Sequence, residues 1–189
     1  MQRFTVVIGN PPYSRASANN GDFIEDLIAP YKNAVRDERN IQPLSDDYIK
    51  FIAFSQDVLS TSGVGTFGMI TNNTFLSGRI HRGMRYSLLQ CNSILRVLDL
   101  HGSGNVKFLG SAGAEDENVF DIQQGVSISL FVNRPAIPRV EHGTLIGPRQ
   151  YKYDHLLAGM VAFTELQPKP PYYLFVPWDA GEDEIFRQY

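Results

Sequence analysis

Val6-Val7-Ile8-Gly9-Asn10-Pro11-Pro12-Tyr13-Ser14 is the stretch on which the reading of this chain turns. Residues 4–8 are aromatic and β-branched with no polar alternation, which predicts a short strand buried on both faces, the kind that parallel sheets contain. Gly9 and the two prolines end it, because proline has no N–H and forces the residue before it into extended geometry. Asn10 is thereby held on a stiff loop at the carboxyl end of a strand, where open α/β sheets bind their ligands.

The groups on that loop define a chemistry. The Asn10 carboxamide presents an acceptor oxygen, and the Pro11 carbonyl, its usual partners lost in the turn, presents a second. Two acceptors so placed hold both hydrogens of an exocyclic amino group and favour a tetrahedral nitrogen, whose lone pair is then localised for attack on a methyl sulfonium. An aspartate here would carry a full charge; asparagine orients without one. Tyr13 can stack on a planar ring, a contact that contributes about 1–3 kcal/mol per base. The competing reading is a merely rigid turn, or a proline-rich ligand segment.

Outward from the motif, residues 14–45 hold Asn19-Asn20-Gly21, Pro30 and Pro43 among charges of both signs. They read as an irregular, partly mobile loop with a helical turn over residues 23–28. A helix follows, capped by Ser45 or Asp46 and stopped by Gly63, with Tyr48, Phe51, Ile52, Phe54, Ser55, Val58 and Leu59 on one stripe. Strands are predicted at 65–71, 94–100 and 126–132, and a second helix over 79–90. A glycine-rich, then acidic loop spans 101–117. Helices between strands imply parallel pairing through right-handed crossovers. No helix separates the last two strands, so they are expected to pair antiparallel as a hairpin at the sheet edge. After residue 134 prolines recur (Pro135, Pro138, Pro148, Pro168, Pro170, Pro171, Pro177) and apolar runs shorten, with one strand predicted over 172–176. The chain therefore divides into an α/β domain over 1–134 and a proline-rich segment over 135–189, a linker with the start of another domain or a packed tail.

With these elements placed, Asn10-Pro11-Pro12-Tyr13 resembles the catalytic motif of amino-methyltransferases that use S-adenosylmethionine. Among them the adenine-N6 DNA methyltransferases of restriction–modification systems are most similar, in particular the large single chains that fuse methyltransferase and nuclease. The resemblance covers residues 4–134 and implies the C-terminal half of a Rossmann-like methyltransferase fold, with a mixed sheet whose last strand is antiparallel. It implies Asn10, Pro11, Pro12 and Tyr13 as catalytic residues, with Asn10 also touching the cofactor. Tyr13 and Phe120 become the substrate-binding pair, the second from Val119-Phe120-Asp121-Ile122, enclosing a base extruded from the duplex. The implied partner is DNA, and the implied cofactor is S-adenosylmethionine.

The cofactor's main binding turn is expected to lie outside this chain. Neither Gly102-Ser103-Gly104 nor Phe108-Leu109-Gly110-Ser111-Ala112-Gly113 stands between a strand and a helix as a nucleotide-binding turn requires. The remainder of a larger polypeptide would supply the cofactor-binding half and a nuclease, and these residues alone are expected to be inactive. A target-recognition domain would follow, with Arg134, Arg139, Arg149 and Lys152 as its first phosphate contacts. The four-residue motif is shared with protein glutamine and some ribosomal RNA guanine methyltransferases. Those substrates, and a non-catalytic DNA-recognition or assembly role, stay open.

The bulk properties narrow the field. The single cysteine, Cys91, excludes an internal disulfide framework and suits a reducing, cytoplasmic setting. His81, His101, His142 and His155 are scattered without ligand spacing, so no metal site is expected. No apolar run approaches a membrane span, and no membrane partner is expected. The net charge of −3 does not favour a polyanion, but residues 79–107 carry Arg79, Arg82, Arg85, Arg96 and Lys107 against Asp99 alone. That stretch is either a phosphate-binding surface or a solvated helix face.

Overall fold

The computed structural model describes residues 5–13, 17–104 and 113–178. Its elements are β1 (Val6–Gly9), α1 (Asp22–Asn33), α2 (Asp47–Ser62), β2 (Gly65–Asn72), α3 (Arg82–Cys91), β3 (Ile94–His101), β4 (Val126–Asn133), β5 (Arg139–Thr144), α4 (Arg149–Ala158) and β6 (Thr164–Leu166). The strands form one six-stranded mixed sheet in the order β1-β2-β4-β3-β5-β6. β1 pairs parallel with β2, and β3 with β5, while β4 runs antiparallel to both its neighbours and β6 antiparallel to β5.

The fold is thus α/β with a mixed sheet, and the antiparallel pairing of β3 with β4 is present. Its expected place at the edge is not. β4 slots between β2 and β3, pairing with β2 from Val126 opposite Asn72 to Asn133 opposite Gly65. Local sequence predicts no helix between them; it does not show on which side the returning strand lands. The expected division after residue 134 also runs through this one sheet, because β5 and β6 continue it beyond β3.

Strand alternation splits the core between the two faces. Phe67, Met69, Leu95, Val97, Phe131 and Val140 share a cluster with Ile28, Tyr31, Ile49, Ile52 and Leu88 of α1, α2 and α3. Phe67 and Phe131, opposite each other on β2 and β4, bring their ring centroids to 4.7 Å. Leu98, Leu100 and Val126 instead join Val119 and Leu145 in a second cluster, with Tyr13 and Phe120 packed against it.

Three further expectations are corrected. β1 is an edge strand here, not buried on both faces: Val6 is 59% and Ile8 84% exposed, and Val7 alone of the three packs on the core. The segment expected to be an irregular loop carries α1, whose Ile24, Ile28 and Tyr31 recur at helical spacing and are buried. Pro30 lies inside that helix, so the burial of this face outweighs a missing backbone bond that costs about 3 kcal/mol. Residues 172–176 form no strand: the Phe175 N–H donates to the Leu76 carbonyl at 2.9 Å, and the segment docks on the helical layer.

Candidate functional site

Asn10 sits directly after β1, exposed, and its carboxamide makes no hydrogen bond among the described residues. Pro11 is buried, which fixes the turn, and Pro12 is exposed. Tyr13 leans on the second cluster, half-buried, with its hydroxyl buried and unpartnered among the described residues. Desolvation pushes its phenol up to about 12, so it stays neutral. The rings of Tyr13 and Phe120 meet with centroids 6.3 Å apart and planes inclined at 60°. Residues distant in sequence and expected to share one base are thus neighbours, in tilted contact rather than as two parallel plates.

Phe120 is carried on a stretch of irregular chain, and Asn118 organises it. The Asn118 amide donates to the carbonyls of Gly102 at 2.8 Å, Ile122 at 3.0 Å and Gln124 at 2.7 Å, while its oxygen accepts from the Phe120 N–H at 2.9 Å. Gly102 has φ +77°, and a Cβ there would stand 2.5 Å from the Asn118 Cα, so only glycine fits. An open groove of about 620 Å³ runs past Asn118, Phe120, Ile122 and Arg149. Sequence reasoning picked out Phe120 but not Asn118, whose partner Gly102 is brought to it only by the fold.

Most of the basic residues are paired within the chain. Arg79 and Arg82 both bind the Glu38 carboxylate. Arg85 is fully buried and donates to the carbonyls of Phe75, Gly78, Tyr172 and Tyr173. Arg96 pairs with Glu141, and its guanidinium lies 4.8 Å from the Phe163 ring centroid. Of the residues expected to meet phosphate, Arg139 also binds Glu141, Arg149 binds Asp121, and Lys152 is buried against Asp116. Arg134 alone of these four is exposed without an ion pair among the described residues. In the basic stretch over 79–107, Arg79, Arg82 and Arg96 are therefore neutralised by carboxylates of this chain, with Lys107 outside the described residues.

Toward S-adenosylmethionine the described residues do not make a complete site. In the Gly102-Ser103-Gly104 turn the N–H groups of both glycines, which would have to point at a ligand, are spent within the chain: Gly102 donates to the Asp116 carboxylate at 2.7 Å and Gly104 to the Gln123 carbonyl at 3.0 Å. The second glycine-rich stretch, 108–113, lies outside the described residues except for Gly113. Asn10 is the one described group that the resemblance carries onto the cofactor. Among the described residues no cluster of His, Cys, Asp or Glu could hold a metal ion, and no helix is long and apolar enough to cross a membrane.

Comparison with known proteins adds to this geometry. Residues 1–106 match the sequence profile described as the Eco57I restriction-modification methylase. Over 100 residues the chain is 31% identical to the Type II methyltransferase M.BstVI of Geobacillus stearothermophilus, covering 52% of this chain and 16% of that protein. Its fold superposes on the ATP-dependent Type ISP restriction-modification enzyme LlaBIII bound to DNA, with a TM-score of 0.74 and 27% identity over 95% of this chain and 13% of that one. The DrdV–DNA complex shares the fold at a TM-score of 0.75 and 24% identity, covering 94% of this chain and 18% of that one. The chain spans less than a fifth of the length of each of these relatives.

Proposed function

This chain belongs to the Eco57I restriction-modification methylase family, and on that premise we propose that it grips the target base in an enzyme that methylates adenine N6 in DNA with S-adenosylmethionine. One observation carries the reading: an exposed Asn10 carboxamide, without a hydrogen bond among the described residues, stands at the end of β1, three residues from the ring of Tyr13, which is in contact with Phe120. Asn10 and the Pro11 carbonyl accept the two hydrogens of the adenine amino group, and Pro12 keeps the turn stiff. With 60° between the two rings, one lies flat on the purine while the other meets its edge. Stacking of about 1–3 kcal/mol offsets the few kcal/mol needed to take the base out of the duplex. The cofactor supplies an electrophilic methyl group. Its binding half, the bulk of the DNA-contacting surface and a nuclease belong to the remainder of a larger polypeptide.

The test is a methylation assay of the full-length protein with tritiated S-adenosylmethionine and unmethylated DNA, RNA and protein offered in parallel. Label in DNA, recovered as N6-methyladenine after nucleoside digestion, is the expected result. Label confined to protein or RNA would overturn it.

A further inference from the structure

Four consecutive backbone carbonyls, those of residues 117–120, are each held by a side chain of α4. Lys152 donates to the Glu117 carbonyl, Arg149 to that of Asn118 at 2.7 Å and of Phe120 at 3.3 Å, and Tyr153 to that of Val119 at 2.7 Å. The spacing is one helical turn, i, i+3 and i+4, so the three side chains leave the same face of α4. The attachment continues on both flanks. The Glu117 carboxylate accepts from the Arg149 N–H at 2.7 Å, and the Asp121 carboxylate from the Arg149 guanidinium at 2.7 Å.

These residues form neither helix nor strand, so beyond the bonds of the Asn118 side chain their backbone is held by α4. An aromatic that must meet a mobile base needs a fixed backbone, because the order of an active-site side chain comes from the groups supporting it. We propose that Arg149 and Tyr153 are positioning residues for Phe120, and that α4 is the rigid ledge fixing that ring against the extruded base. This inference rests on the reading of Phe120 given above. It also gives the segment after residue 134 a part in catalysis, because α4 follows directly on β5, and whatever displaces α4 displaces Phe120.

The test uses the full-length protein and a duplex carrying 2-aminopurine at the adenine found methylated. Tyr153→Phe removes one hydroxyl and keeps the ring; Arg149→Gln removes the forked donor. For both, emission of the saturated complex should move toward the value given by Phe120→Ala. Turnover should fall about three- to tenfold, the range commanded by a lost hydrogen bond, with duplex affinity within about twofold of wild type. Wild-type emission and turnover in both variants would overturn the inference. So would a loss of affinity alone, which would make Arg149 a phosphate contact. If Arg149→Gln fails to fold, Tyr153→Phe decides. Should Phe120→Ala itself leave emission and turnover unchanged, the base-gripping role of Phe120 fails first, and the two failures are told apart.

Discussion

The Asp116 carboxylate and the Lys152 ammonium stand 2.7 Å apart with side chains 2% and 0% exposed. The same carboxylate accepts from the backbone N–H of Gly102 and of Gly147, and the same ammonium donates to the carbonyls of Leu100 and Glu117. One buried pair thus ties the end of β3, the start of the Phe120-bearing stretch and the approach to α4. Removing one partner of such a pair leaves an uncompensated buried charge, at a cost of about 3–5 kcal/mol. Lys152→Met is expected to lose stability in that range by urea unfolding. Adding Asp116→Asn should recover part of it, since the neutral amide no longer strands a charge. A loss below about 1 kcal/mol for Lys152→Met would show that the pair is not a structural hub.

Asn10 presents the opposite case, a polar side chain that the fold does not use. It is exposed and has no hydrogen-bond partner among the described residues, so Asn10→Ala should change stability by no more than about 0.5 kcal/mol. Turnover should nonetheless fall about a hundredfold or more, as when a group aligned with the reacting atoms is removed. The unfolding midpoint and the methyl-transfer rate of one preparation check both halves. Near-wild-type turnover would remove Asn10 from the chemistry.

Much of this arrangement is written locally, and the rest is not for reasons the structure makes plain. β2, β3 and α2 stand where the apolar pattern places them, although Phe51 and Phe54 of the expected α2 stripe are exposed, and Gly63, with φ +83°, stops α2 where the sequence places the stop. α1 was obscured by Pro30, whose cost only tertiary burial offsets. β5 reads Arg-Val-Glu-His-Gly-Thr and looks like loop, yet its Glu141 is buried with the neighbouring strand supplying Arg96 to the carboxylate. The exposure of β1 and the insertion of β4 are facts about neighbours, which no local pattern encodes. At the site, Asn10 and Tyr13 followed from the chemistry of one turn. The grip of α4 on residues 117–120 joins segments about thirty residues apart through side chain to backbone bonds, a class of contact that leaves no periodic trace.

Tyr13 separates stacking from hydrogen bonding. Its hydroxyl is buried without a partner among the described residues, and an unsatisfied buried group costs about 1–3 kcal/mol. Tyr13→Phe is therefore expected to be neutral or stabilising in thermal unfolding and to keep most turnover, because the ring remains. Tyr13→Ala should lose the stacking contribution, about 1–3 kcal/mol, read as weaker retention of an extruded 2-aminopurine. A Phe variant as defective as the Ala variant would mean that the hydroxyl, not the ring face, is what the substrate meets.

His81 is a buried imidazole whose protonation opposes folding. The residue is 2% exposed, with its Nε2 3.3 Å from the Tyr48 hydroxyl and its Nδ1 buried without a partner among the described residues. Burial, and then the nearby Arg85 charge, lower its pKa from the ordinary histidine value to about 3. The unfolded chain therefore binds this proton more readily than the folded one. The stability that neutral His81 permits is complete above about pH 6.5 and declines as pH falls from there toward about 3. The slope approaches about 1.4 kcal/mol per pH unit for one proton. His142, lowered by burial, acts in the same direction. Glu25, held low by Lys32, and Glu38, where burial is outweighed by Arg82 and Arg79, titrate below the histidine range. Urea unfolding between about pH 4.5 and 7 isolates the imidazoles, and His81→Gln should remove about one proton from the slope. An unchanged slope in that variant would mean that another group sets the acid limb.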